Sequence, residues 1–179
     1  MSYTRGFELQ KLTKHSSVDL EAKSAAIAAL ADEIWRDHYT TIIGKSQVDY
    51  MLTKFQSAEQ ILTDIQKNEY TYFTAADIKN NTLIGYCGVA PKAGYLLRSK
   101  LYVHKGHRGT GVARGFLNEA IALCRCEYDY HKIRLTVNKY NDGAIAAYKK
   151  MGFDTIDSIK TDIGGGFFMD DYVMELALP

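Results

Sequence analysis

The 179-residue sequence lacks three features that would place it in a specialised class of protein. Its 22 basic residues nearly equal its 21 acidic residues, and this balance argues against nucleic acid as the main partner. No apolar run approaches the roughly 20 residues of a membrane span, and the N-terminus has no apolar signal-peptide core. We therefore expect a cytoplasmic protein that binds neither nucleic acid nor membranes.

Cysteine is also scarce, with three residues in the whole chain. The number is odd, and Cys87, Cys124 and Cys126 form no C-x-x-C pair, so reduced thiols are expected rather than disulfides. The five histidines and three cysteines show no spacing typical of metal ligands. We expect no metal site.

The overall composition is that of an ordinary globular protein. Hydrophobic residues make up 46% of the chain and charged residues 24%, without internal repeats, low-complexity segments or a linker. A chain of this length buries about 70% of its unfolded surface and needs no covalent staple. We expect residues 1–179 to form a single domain.

The hydrophobic periodicity changes several times along the chain. A short strand precedes a helical N-terminal third, and three antiparallel strands follow from about residue 70 to residue 103. A helix, a parallel return strand, a second helix and two last strands complete the pattern. This order predicts an α/β fold whose mixed sheet has about seven strands.

Residues 101–117 combine a strand, a glycine-rich turn and the start of a helix. Leu101, Tyr102 and Val103 are strand formers, and the helical apolar stripe begins at Val112. Backbone N–H groups of such a turn and of the first helical turn converge on one point. The segment therefore predicts a cradle for a phosphate or pyrophosphate.

Two familiar phosphate motifs do not fit. The dinucleotide pattern G-x-G-x-x-G matches Gly109 and Gly111 but meets Arg114 at its third glycine. The Walker pattern G-x-x-x-x-G-K-[ST] finds only its tail at Gly44, with Tyr39 in place of its first glycine.

A third motif, R-x-x-G-x-A, is complete at Arg108, Gly111 and Ala113. A second segment farther along reads N-x-x-A-x-x-x-Y-x-x-x-G-F, and its fixed positions are Asn141, Ala144, Tyr148, Gly152 and Phe153. The two segments, in this order and at this separation, resemble the GNAT superfamily of N-acetyltransferases. The resemblance is specific from about residue 101 to residue 153.

The resemblance implies a three-layer fold with helices on both faces of the sheet, and acetyl-coenzyme A as the co-substrate. The residues that it implies for coenzyme binding are Leu101, Tyr102, Val103, Arg108, Gly109, Thr110, Gly111, Val112, Ala113, Arg114, Asn141 and Ala144. The backbone of residues 101–103 would pair with the pantetheine arm. Tyr148 would be the general acid that protonates the leaving thiolate.

The acceptor is expected to be a primary amine, with a polyamine as the leading candidate. The C-terminal run F-F-M-D-D-Y-V-M is similar to the corresponding stretch of bacterial spermidine/spermine acetyltransferases. The candidate acceptor residues are Trp35, Asp37, His38, Tyr39 and Asp171. The general base that would take the proton of the amine is not assigned to one residue. Its candidates are His38, His104, His107, Glu59 and Asp171.

Two other functions remain compatible with the sequence. The fold could serve as a non-catalytic acyl-coenzyme A sensor or interaction module, although Tyr148 favours an enzyme. A protein N-terminal or lysine acetyltransferase is the other alternative. By family resemblance, a homodimer is plausible.

Overall fold

A computed structural model describes residues 6–179. Their seven strands form one mixed sheet with the order β1-β2-β3-β4-β5-β7-β6. All neighbouring pairs are antiparallel except β4 and β5, which run parallel. The strands are β1 (Phe7–Leu12), β2 (Thr71–Asp77), β3 (Leu83–Lys92), β4 (Tyr95–Val103), β5 (Lys132–Asn138), β6 (Asp154–Gly164) and β7 (Phe167–Ala177).

The helices follow the order that the sequence predicts. They are α1 (Leu20–His38), α2 (Thr40–Ile43), α3 (Lys45–Phe55), α4 (Ala58–Lys67), α5 (Val112–Cys126) and α6 (Asp142–Lys150). Polar side chains cap three of them, because Asp19, Ser57 and Asn141 each accept a hydrogen bond from an N–H group of the first turn. The single-turn helix α2 is an addition to the predicted pattern. No helix described in residues 6–179 has both the length and the apolar character of a membrane span.

Two apolar cores lie on opposite faces of the sheet. One core packs α5 and α6 against the sheet and includes Phe116 and Phe153. The other packs α1, α3 and α4 against the opposite face and includes Ile27 and Ile61. This arrangement confirms the predicted α/β fold, with a mixed seven-stranded sheet and helices on both faces.

Strands β4 and β5 separate soon after they meet. Their parallel pairing covers only Leu96 with Ile133 and Leu97 with Arg134. Immediately beyond that point, the β3–β4 register shifts by one residue, so that Ser99 becomes an extra residue of β4. A bulge bends a strand and increases its twist. The result is a cleft between residues 98–103 of β4 and the second half of β5.

The bulge also changes which way two basic side chains point. Residues two apart on a regular strand share a face. Here Arg98 lies against Tyr148 and Phe153 of the α5–α6 core, whereas Lys100 reaches Asp64 and Tyr72 on the opposite face. The single extra residue therefore gives each face of the sheet its own buried cation.

A buried ion pair connects α4 to β4. The Lys100 ammonium donates to Asp64 Oδ2 at 2.7 Å and to the Tyr72 hydroxyl at 2.6 Å. The other carboxylate oxygen of Asp64 accepts from the side-chain amides of Gln60 (2.8 Å) and Asn68 (3.2 Å). Burial lowers the pKa of Lys100, and the charge of Asp64 opposes that shift.

Removing one member of this pair should destabilise the fold strongly. We expect Asp64→Ala to lower the free energy of unfolding by roughly 3–5 kcal/mol, because it leaves the Lys100 charge buried without a partner. The double variant Asp64→Leu/Lys100→Met should recover most of the loss. Urea denaturation measures both changes. Asp49→Ala, which breaks the exposed pairs with Lys45 and Arg36, is the matched control and should cost less than about 1 kcal/mol. An equally small cost for Asp64→Ala would contradict the role of the buried pair.

Candidate active site

One cavity lies between the end of β4, the first turn of α5 and helix α6. Its volume is about 550 Å³, and we call it the donor cavity. The predicted coenzyme-binding residues that line it are Leu101, Tyr102, Val103, Arg108, Gly109, Gly111, Val112, Ala113, Arg114, Asn141 and Ala144. Thr110 is the predicted residue that does not line it. Its hydroxyl donates to the His107 carbonyl at 2.6 Å, inside the turn.

The glycine turn has the conformation that a phosphate cradle needs. Gly109 and Gly111 have φ angles of 78° and 95°, a left-handed region that disfavours side chains. A Cβ atom at either position would meet nothing within 4 Å, so the space beside the turn is open. No side chain caps the first turn of α5, and its N–H groups are left for a ligand. Arg108 is anchored beside the turn, since its Nε donates to the Val103 carbonyl at 3.3 Å.

Asn141 connects the end of α1 to the helix that carries Tyr148. Its side-chain oxygen accepts from the Ala144 N–H at 3.4 Å and lies 3.3 Å from His38 Nε2. Its amide group donates to the Tyr39 hydroxyl at 3.4 Å. Asn141 is buried, so these contacts fix α6 relative to α1. Tyr148, in the second half of α6, is held at the wall of the donor cavity.

A second cavity opens where β4 and β5 separate, and we call it the acceptor cavity. Its volume is about 350 Å³. It shares its lining with the donor cavity at five residues, namely Tyr39, Leu101, Tyr102, Asn141 and Tyr148. The two cavities therefore meet at the tyrosine that the sequence identifies as the candidate acid.

The predicted acceptor residues are divided between several places. Trp35, Tyr39 and Asp171 line the acceptor cavity, and Trp35 packs against Tyr39 with ring centroids 4.6 Å apart. His38 lines the donor cavity instead. Asp37 lines neither cavity, because its carboxylate points to the surface and pairs with Lys105 at 2.8 Å. Only part of the predicted set therefore surrounds a common space.

Asp171 is the buried carboxylate of β7 at the acceptor cavity. It is buried on β7 opposite Asn138. Burial raises the pKa of Asp171 to about 6, and the neighbouring Asp170 charge adds to that shift, whereas a hydrogen bond with Thr136 opposes it. A group with this pKa is ionised at neutral pH and holds a proton better than an ordinary carboxylate.

The other base candidates are engaged elsewhere or lie outside the acceptor cavity. His104 pairs with Glu33 at 2.9 Å, and His107 lines the donor cavity near the glycine turn. Glu59, in the first turn of α4, lines neither cavity. Asp171 is thus the candidate that the fold brings to the acceptor side of Tyr148.

The sequence analysis missed three charged residues of the acceptor cavity: Asp64, Arg98 and Lys100. One signal was present, because R-S-K interrupts an apolar strand that leads into the glycine turn. A charged residue within a central strand is seldom buried without a partner or a function. Across residues 6–179, no group of three or more His, Cys, Asp or Glu side chains is arranged to hold a metal ion.

Several solved structures share the fold of this chain. PaiA N-acetyltransferase from Thermoplasma acidophilum, in complex with coenzyme A, has a TM-score of 0.76 at 22% identity, over 96% of this chain and 98% of that one. A variant of the spermidine N-acetyltransferase SpeG from Vibrio cholerae has a TM-score of 0.62 at 18% identity, over 96% and 94%. Arabidopsis thaliana NAA60, in complex with a bisubstrate analogue, has a TM-score of 0.66 at 15% identity, over 97% and 99%.

No curated protein matches the chain significantly in sequence. The model of the acetyltransferase (GNAT) family matches residues 27–153, which is more than half of the chain and includes both motifs. This match confirms the predicted enzyme class and acetyl-coenzyme A as its co-substrate. The chain belongs to the GNAT family of acetyltransferases.

Proposed function

We propose that the chain acts as a single N-acetyltransferase domain that transfers an acetyl group from acetyl-coenzyme A directly to a small primary amine. The observation that carries this proposal is the meeting of the donor and acceptor cavities at Tyr148. The uncapped first turn of α5 and the glycine turn suit the pyrophosphate. The open edge of β4 at residues 101–103 suits the pantetheine arm.

The reaction needs a proton acceptor on the amine side. An alkylamine with a pKa near ~10.4 is only about one part in a thousand unprotonated at pH 7.4, a deficit of about 4 kcal/mol. Asp171, on the acceptor side, takes the ammonium proton directly or through water. The amine nitrogen then attacks the thioester carbonyl carbon, so that a C–N bond forms and the C–S bond breaks. Tyr148 donates its proton to the departing thiolate.

Within the class of small primary amines, a polyamine remains the acceptor that the sequence predicts. A spermidine N-acetyltransferase shares the fold at 18% identity. A polyamine would need several unpaired carboxylates in the acceptor cavity. Lys100 already neutralises Asp64, and Asp170 pairs with Lys139, so Asp171 is left to meet a substrate cation.

Amine-dependent release of free thiol from acetyl-coenzyme A tests the proposed activity. The panel contains spermidine, monoamines, amino acids and a peptide with a free N-terminus. We expect release with a small amine. Binding of acetyl-coenzyme A without release for any amine would favour the acyl-coenzyme A sensor, and release with the peptide alone would favour a protein acetyltransferase.

Coenzyme binding should depend on Gly111. Acetyl-coenzyme A at 100 times its Kd should stabilise the protein by about 2.7 kcal/mol, seen as a rise in melting temperature. Gly111→Val should abolish that rise, because its side chain fills the space beside the turn. Gly94→Val is the matched control, because Gly94 has a φ of 81° with nothing within 4 Å and lies outside the donor cavity. It should lose intrinsic stability and keep the ligand-induced rise. An unchanged rise in Gly111→Val would contradict the cradle.

Tyr148→Phe isolates the hydroxyl group. The variant keeps the ring that packs 6.0 Å from Phe153, so the fold and the affinity for acetyl-coenzyme A should change little. We expect kcat to fall roughly 10- to 1000-fold, because the thiolate loses its proton donor. Pre-steady-state kinetics must show that chemistry is rate-limiting in the wild type. An unchanged kcat under that condition would reduce Tyr148 to a packing residue.

Asp171→Asn should remove a pH dependence. In the wild type, kcat/KM should rise with pH and level off above about 6, since Asp171 must be ionised to act as the base. In the variant, the rise of kcat/KM with pH (the acidic limb of the profile) should disappear. Its rate should be roughly 10²–10⁴-fold lower. Asp170→Asn is the control and should keep the limb at slightly lower pH, because the Asp170 charge contributes to the raised pKa of Asp171.

Stability gives an independent readout of the same carboxyl group. Since the folded-state pKa of Asp171 is raised, its contribution to stability is present below the unfolded value near ~4 and lost as pH rises through about 6. Relative to the wild type, Asp171→Asn should therefore gain stability on going from pH 4 to pH 8. A pH-independent difference in melting temperature would contradict the raised pKa.

A further inference from the structure

Arg98 is a buried cation with two nitrogen atoms that find no hydrogen-bond partner among residues 6–179. It lies in the middle of β4, is 3% exposed and lines the acceptor cavity. Within residues 6–179, its Nε and Nη1 atoms are buried without a hydrogen-bond partner, and no carboxylate forms an ion pair with it. Buried guanidinium groups are normally paired, because an unpaired charge is costly away from water.

Two aromatic rings lie close to the Arg98 guanidinium group. The guanidinium carbon lies 4.3 Å from the centre of the Tyr148 ring and 5.5 Å from that of Phe153. Cation–π contacts satisfy the faces of a guanidinium group. Its five N–H donors point outward in the plane of the group and need acceptor atoms there. The edge of Arg98 is therefore left for an anion.

Neither the carboxylates of residues 6–179 nor the phosphates of the coenzyme supply a suitable anion. Of the carboxylates that line the acceptor cavity, Asp64 is held by Lys100 on the other face of the sheet, and Asp171 accepts no hydrogen bond from the Nε or Nη1 atom of Arg98. The phosphates of the coenzyme belong at the glycine turn, beyond Val103. Five steps along the strand, at about 3.3 Å each, lead from Arg98 to Val103, a distance of roughly 16 Å. The anion that completes Arg98 must come from the acceptor.

We propose that Arg98 binds a carboxylate of the acceptor, which is therefore an amino acid or a closely related carboxylated amine. This inference rests on the proposed transferase function and narrows its substrate class. The guanidinium fork matches a carboxylate in two parallel hydrogen bonds. Asp171 meets the amino group, so the acceptor cavity is complementary to a molecule with both charges. Because Arg98 lies against Tyr148 itself, the carboxylate is separated from the reacting amine by only a few bonds.

Pairs of amines that differ by one carboxylate provide the test. They are L-lysine with cadaverine, L-ornithine with putrescine, and L-phenylalanine with 2-phenylethylamine. We expect kcat/KM for at least one carboxylated member to exceed that of its partner by at least about tenfold, the usual effect of a hydrogen bond to a charged group. In Arg98→Met this ratio should fall to the value that the difference in amine pKa alone produces, and Arg98→Lys should retain part of the excess. A carboxylate also lowers the pKa of a nearby amine, but that effect persists in the Arg98 variants.

Arg134→Met is the matched control. Arg134 also lies over a tyrosine ring, 4.5 Å from the centre of Tyr95. It differs in having a carboxylate partner, Glu175, at 2.6 Å, and in lining neither cavity. The ratio of kcat/KM values should be unchanged in this variant.

A binding measurement separates this inference from the proposed function. Calorimetry with 3-phenylpropionate, which has a carboxylate and no amine, should show binding to the wild type in the presence of coenzyme A. Binding to Arg98→Met should be at least about tenfold weaker. If 3-phenylpropionate binds in this way but no amine is turned over, the carboxylate subsite is supported and the proposed transferase function is contradicted. Turnover that favours the decarboxylated amines, or a ratio unaffected by Arg98→Met, would overturn the subsite and leave the transferase. If Arg98→Met does not fold, two wild-type measurements test the carboxylate subsite: the kcat/KM ratios of the amine pairs and the binding of 3-phenylpropionate.

Discussion

The separation of β4 from β5 is the constraint on which the site depends. After two paired positions the strands diverge, and the edge of β4 that faces β5 loses its ladder partner. Backbone N–H and C=O groups in such a position need other partners. An extended ligand arm provides them by acting as an added strand. The same divergence creates the acceptor cavity, so one local event in the sheet forms both halves of the site.

Charge placement then determines what the acceptor cavity selects. The extra residue at Ser99 puts Arg98 and Lys100 on opposite faces of the sheet. Lys100 is neutralised by Asp64, and this pair contributes to the fold. Arg98 has aromatic faces and an unpaired edge, and this favours recognition of a substrate. Asp171 supplies the opposite charge, so the cavity combines one cation and one carboxylate rather than a row of carboxylates.

The parts of the molecule that could be predicted from sequence are those set by local patterns. The glycine turn, the capping role of Asn141 and the alternation of the strands each depend on a few consecutive residues, and they give the fold and most of the donor cavity. The acceptor cavity depends on a one-residue register shift and on residues from α1, β4 and β7. No local pattern reveals such a shift. Asp37 is therefore predicted as an acceptor residue from family resemblance, whereas its side chain pairs with Lys105 at the surface.

The central claim is that donor and acceptor occupy adjoining cavities at the same time and react directly across Tyr148. Initial velocities measured while both acetyl-coenzyme A and the amine are varied test this most directly. A ternary complex predicts double-reciprocal lines that intersect and no acetylated enzyme by mass spectrometry in the absence of amine. Parallel lines, together with an acetyl group retained on the protein, would show a covalent two-step route and contradict the account.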